Sequence, residues 1–256
     1  MRGPRMKPRL LLFALVGAGA ALLLPGGAAA QAPAPGIAVT FGDGSVSGKA
    51  IQLVLMMTVL SLAPGILMTV TCFTRIIVAL SLLRTGIGAP GVPPNPVLIS
   101  LALFLSFFVM APTFEKAWAS GVKPYTEGRI SEETAMKRTV EPFRGFMLAH
   151  VRDADLRLFN DLARERPKSR ADVPLTTLMP AFMISELRRA FEIGFLLLLP
   201  FLVIDLAVAA VLMAMGMMML PPPAISLPIK IIFFVLVDGW ALVAGSLVRS
   251  FAVGGG

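Results

Sequence analysis

The sequence predicts an all-α integral membrane-type protein with four long hydrophobic helical segments, arranged as kinked hairpins, and one helical insert. Three observations carry this reading. Of 256 residues, 56% are hydrophobic and 15% charged, and mean hydropathy is +0.81; soluble domains average about 45–50% apolar and about 25% charged residues. Several apolar runs exceed the roughly 18 residues that mark a transmembrane helix. The charges gather in one internal segment. The single Cys72 forbids a disulfide within the chain, and the single His150 forbids a histidine cluster within one subunit. Cofactor and metal sites have no foothold, and neither does an enzyme with an acid/base pair.

Residues 1–30 read as a cleaved signal peptide. Arg2, Arg5, Lys7 and Arg9 precede an apolar stretch from Leu10 to Leu24, and Ala28-Ala29-Ala30 supplies small residues before Gln31. An uncleaved first membrane helix is the alternative. Those four cations make up half of the net charge of +8, so removing them takes away the main argument for nucleic-acid binding. Residues 31–49 are expected to be a flexible segment.

Residues 50–113 hold the first hydrophobic helical pair. Ala50 to Leu83 contains one charge, Arg75, and one breaker pair, Pro64-Gly65. It is longer than a bilayer requires, so a tilt or a kink near Pro64 is expected. Val97 to Thr113 is a barely sufficient second block. Residues 114–192 are the polar insert. Ser131-Glu132-Glu133-Thr134 suits a helix start, and Phe143, Met147, Val151, Ala154, Leu158 and Leu162 recur at helical spacing from Glu141 to Arg164. Phe146 and Phe159 widen that stripe. It is either a core face or, in so small a domain, partly a contact with another subunit. Residues 193–251 form a C-terminal hairpin, Ile193 to Leu220 and Ala224 to Val248, turned by Pro221-Pro222-Pro223; residues 252–256 are a tail. With a cleaved signal, four crossings place the new N-terminus and the insert outside the cytoplasm. Arg75, Arg84 and Lys230 then fall toward the cytoplasmic side, as the positive-inside tendency requires.

Charges inside apolar blocks are functional or pairing candidates, because each costs several kcal/mol when bare in lipid. These are Arg75, Arg84, Asp205, Lys230 and Asp238. Asp205 and Asp238 lie at similar sequence distances from the proline turn, and Lys230 lies about 12 Å along a helix from Asp238. This spacing argues against a direct Lys230–aspartate pair within one hairpin. It points instead to Arg75, Arg84, a water-filled cavity or neighbouring subunits, and so to an oligomer. Either structural pairing or proton carriage fits the two aspartates.

Met213, Met215 and Met217-Met218-Met219, with Gly216 among them and prolines after, suit a helix end or loop. Methionine is deformable enough to close a seal that yields to varied sequences; plain apolar filling is the other reading.

Several separated motifs resemble one family. The run Pro180-Ala181-Phe182-Met183-Ile184-Ser185-Glu186-Leu187-Arg188-Arg189-Ala190-Phe191-Glu192-Ile193-Gly194 is similar to the signature of the FliP family of flagellar export-gate proteins, as are Pro228-Ile229-Lys230 and Asp238-Gly239-Trp240. Phe73-Thr74-Arg75-Ile76-Ile77, Leu83-Arg84, Pro93-Pro94-Asn95 and Gly216-Met217-Met218-Met219 resemble the same family, so the likeness covers roughly residues 45 to 251. The resemblance implies a ring of several copies, taken to be five, assembling into a helical cone with FliQ and FliR and working with FlhA and FlhB. It implies a place in the bacterial inner membrane and flagellar basal body, where the gate passes unfolded flagellar subunits. It further implies a methionine gasket at Met217, Met218 and Met219, subunit contacts at Phe146, Phe159 and Glu186, and no catalytic residue or cofactor. A homologous injectisome gate is the nearest alternative. A proton-coupled transporter or ion channel using Asp205, Lys230 and Asp238 is a rival from another class, though no internal repeat supports it.

Overall fold

The computed structural model describes residues 51–252, apart from residues 52, 55, 59, 60, 62–64, 66, 67, 90, 165, 166 and 218. The signal peptide, the segment to residue 49, the breaker Pro64, Met218 and tail residues 253–256 lie outside the described residues. The chain divides into two units, residues 1–53 and 54–256, and the second contains everything below.

All regular structure among the described residues is helical. Helix α1 (Phe73–Ile87) ends on Gly88, whose φ of 77° lets its N–H reach back to the Arg84 carbonyl, a left-handed stop that suits glycine. Ile76, Ala79, Leu80 and Leu83 recur at helical spacing and are buried. Helix α2 (Asn95–Ala117) starts after Pro94, with Pro96 in its first turn, where a missing N–H is least costly. It runs through a π-helical turn, Trp118–Val122, into the short α3 (Lys123–Thr126). Helix α4 (Glu132–His150) is capped by Ser131, whose side chain accepts from the Thr134 N–H at 3.4 Å, as expected from Ser131-Glu132-Glu133-Thr134.

The stripe from Glu141 to Arg164 does not form one helix. Helix α4 ends at His150, Val151 and Arg152 are extended, and α5 (Asp153–Leu162) restarts. The Arg152 N–H donates to Ser185 Oγ at 3.1 Å rather than continuing the α4 ladder. Met147, Val151 and Leu156 are buried, whereas Ala154, Leu158 and Leu162 face out.

Helix α6 (Leu175–Ala214) has 40 residues and crosses the expected boundary at residue 192 without a break. At 1.5 Å per residue it is about 60 Å long, about twice the hydrocarbon thickness of a bilayer. It packs closely on α1: a Cβ on Gly86 would come within 2.5 Å of Leu198 Cδ2, and one on Gly194 within 2.3 Å of Leu82 Cδ1. Helix α7 (Pro222–Leu236) folds back on α6, with the rings of Phe233 and Phe234 6.4 and 6.2 Å from that of Phe201. Helix α8 (Gly239–Ala252) follows at a 65° bend.

Two described stretches, Asn95–Thr126 and Leu175–Ala214, are long and apolar enough to cross a membrane, or three if the bent α7–α8 pair is one span. Helix α1, which begins inside the first block and runs past its end at Leu83, has only 15 residues, so it does not make a span by itself. The last block divides because Asp238 takes a φ of 50°, a conformation that no helix continues.

Candidate functional site

Three features stand out: a buried polar hub, an ion pair in the hairpin, and a methionine loop. The hub is centred on Arg75. Its apolar helix α1 carries the guanidinium into the core, where Arg75 and Glu186 of α6 are both fully buried. Arg75 Nε donates to Glu186 Oε2 at 2.9 Å, and Nη2 donates to the other carboxylate oxygen, making a two-point contact. Nη1 donates to the Ser250 carbonyl at 3.3 Å and contacts Ser250 Oγ at 3.1 Å. The guanidinium carbon lies 3.7 Å from the centroid of the Phe251 ring, a cation–π contact free of water screening. Phe251 stacks in turn on Phe146, with centroids 6.3 Å apart. His150 closes the arrangement, with Nδ1 2.9 Å from the Phe146 carbonyl and Nε2 3.3 Å from the Phe251 carbonyl. One residue along α6, Ser185 Oγ donates to Asp155 Oδ2 at 2.7 Å and accepts from Arg152. The hub thus ties α1, α4, α6 and the end of α8 together.

The second feature corrects the reading of the hairpin charges. Lys230 of α7 pairs with Asp205 of α6 at 2.6 Å, and also donates to the Gly86 carbonyl of α1 at 3.1 Å. Their partners are therefore neither Arg75 nor Arg84. The expected mismatch in depth came from taking the proline turn as the end of the first helix. Helix α6 stops at Ala214 and α7 starts at Pro222, so Asp205 and Lys230 lie nearly equally far from their helix ends. Asp238 sits at the α7–α8 break, exposed, and shares no depth with Asp205. Arg84 donates to Asn95 Oδ1 across the α1–α2 connection. Both flank an open cavity of about 690 Å³.

The third feature is the end of α6. Met215 caps the helix, Gly216 turns it with a φ of 72°, and Met217 N–H reaches back to the Leu212 carbonyl at 3.0 Å, a glycine-centred stop. This helix end and the loop that follows expose apolar side chains: Met213 in the last turn, Met215 at the cap and Met217 in the loop are well exposed, and Met219 is 100% exposed. The helix-end placement read from the sequence holds for these residues.

The residues expected at subunit contacts sit differently from one another. Glu186 is enclosed in the hub, while Phe146 and Phe159 are half-buried against the cluster that contains Met147, Leu156 and Phe182. The hub itself was not read from the sequence. Its visible signals were the lone charge of Arg75 in an apolar block and the Ser185-Glu186 pair between apolar turns. Ser250 and Phe251 gave none. Among the described residues no group of three His, Cys, Asp or Glu side chains is placed to hold a metal.

Comparison with known proteins gives consistent matches. A family model described as the FliP family matches residues 56–247. The chain is 55% identical over 235 residues to the flagellar biosynthetic protein FliP of Rhizobium meliloti (strain 1021), covering 91% of this chain and 96% of that protein. It is 55% identical over 233 residues to the protein of the same name from Agrobacterium fabrum, covering 90% and 95%. The Bacillus subtilis protein is 54% identical over 202 residues, covering 78% and 91%.

Proposed function

The chain belongs to the FliP family and is a component of the flagellar export apparatus; from that premise we propose that it is a channel-forming subunit of the type III export gate. In this reading several copies, five in the ring we infer, assemble with FliQ and FliR in the inner membrane and work with FlhA and FlhB. Unfolded rod, hook and filament subunits pass through the centre. The N-terminus and the insert lie on the periplasmic side. Met217, Met218 and Met219 close the idle pore, and Phe146 and Phe159 meet neighbouring copies. Glu186 acts on that contact from inside the subunit, by fixing Arg75 and the end of α8.

The observation that carries this reading is the methionine loop. A 40-residue apolar helix ends in a glycine turn that leaves Met213, Met215, Met217 and Met219 exposed. A loop of flexible thioether side chains suits a contact that must close on itself and then admit chains of any sequence. The length of α6 adds support, because a helix of about 60 Å extends well beyond a bilayer. The ion pair between Asp205 and Lys230 weighs against proton carriage by Asp205, since that carboxylate already has a partner.

An in-frame deletion in the source bacterium tests the assignment. Flagellin and hook protein disappear from the medium, and the intact gene restores both. Normal secretion of both from the deletion strain overturns the reading and directs attention to an injectisome.

A further inference from the structure

Helix α7 is held at three places of different character. At its C-terminal end is a break: Asp238 has a φ of 50°, and the axis turns 65° into α8. A non-glycine residue in the left-handed region stores a modest strain that straightening or swinging the joint relieves. The next residue, Gly239, sits so close to Phe234 that a Cβ there would lie 2.2 Å from ring atom Cε2. Beyond the break, α8 is anchored firmly. Val243, Leu247 and Phe251 are buried, and Ser250 and Phe251 are gripped by Arg75 and His150.

The middle of α7 is held otherwise. Its exposed side chains include Ile229, Ile231, Ile232, Val235 and Leu236, while the buried ones are few: Ser226, Lys230 and Phe234. Ser226 lies one turn before Lys230 on the same face. The one charged tie is Lys230, which reaches Asp205 on α6 and the Gly86 carbonyl on α1. Asp205 keeps 40% of its side chain exposed, so solvent or a passing charged group can compete for it. At the N-terminal end, α7 continues through Pro221 directly into the methionine loop.

We propose that α7 is a latched lever: it pivots at Asp238–Gly239 against the anchored α8, the Lys230–Asp205 pair latches it to α6, and its release displaces the methionine loop. The pivot and the latch stand on geometry alone. The last link, from lever to pore, rests on the sealing role proposed above.

The test uses the export-gate complex purified from membranes, with wild type, Asp205→Asn and Lys230→Met compared by amide hydrogen exchange. Residues 222–236 exchange at least tenfold faster in both variants, while residues 239–252 stay within twofold of wild type. Unchanged exchange in α7, or equal acceleration of α7 and α8, overturns the lever. Failure of both variants to yield complex makes the pair a folding element and likewise overturns it. The same complexes are then placed in vesicles and their ion leak is measured beside a Met217→Ala/Met219→Ala variant. A leak raised severalfold by the latch variants and by the methionine variant supports the full proposal. A leak from the methionine variant only, with α7 already loosened, overturns the coupling between lever and loop. If α7 loosens and the methionine variant is as tight as wild type, the lever stands and the sealing role fails.

Discussion

Around Arg75, four helices bring charged and polar groups together, and Arg75, Glu186 and His150 are buried there against named partners. At the end of α6 the arrangement is reversed, with apolar methionines exposed and Met219 fully so. A soluble domain places these chemistries the other way round. The difference teaches that around Arg75 the subunit pairs its charged groups internally, while at the end of α6 it leaves apolar ones for lipid, neighbouring copies or cargo. Substitutions in the hub should therefore act on the folded subunit, and substitutions in the loop on what the subunit does once assembled.

The largest effect is expected from Glu186→Ala. It leaves the Arg75 guanidinium buried without its carboxylate, a loss of about 3–5 kcal/mol for a broken buried pair, so the subunit should fail to accumulate in membranes by immunoblot. The comparison sharpens if Arg75→Met/Glu186→Met accumulates better than either single charge removal, because joint replacement leaves no lone charge. Phe251→Ala ranks next. It removes a buried ring and its cation–π contact, at about 3 kcal/mol, and should show as lower thermal stability of the detergent-solubilised subunit with α8 newly open to protease. Met219→Ala should come last for stability, within about 0.5 kcal/mol of wild type, since the side chain touches solvent. Its complex should assemble fully, which pull-down of the other gate subunits measures. A hub-sized loss of assembly from Met219→Ala would break the comparison.

The parts of the fold written in local periodicity were legible. The all-helical class, the Ser131 cap and the methionine helix end all follow from short-range pattern and capping chemistry. What escaped was set by distant contacts. The α4–α5 break is invisible in the stripe because Val151 is apolar and in phase; it exists because Arg152 finds Ser185, 33 residues away. The Arg75–Glu186 pair joins positions 111 apart, and no local signal selects one carboxylate over another. The Lys230–Asp205 pair escapes local pattern because the prolines at 221–223 read as the helix end, whereas α6 stops at Ala214. The boundary drawn at residue 192 marked a change in composition that the backbone of α6 ignores.

The most direct test of the central claim places a cysteine at the loop. In a Cys72→Ala background, Met219→Cys is combined with an export substrate that carries one cysteine and an export-arresting domain, and membranes are oxidised during active secretion. The account predicts a mixed disulfide between position 219 and the arrested substrate, absent when secretion is blocked. A strain that secretes normally, is arrested normally and yields no such adduct, while Met219→Cys reacts with a lipid-soluble thiol reagent, would contradict it by placing the loop against lipid.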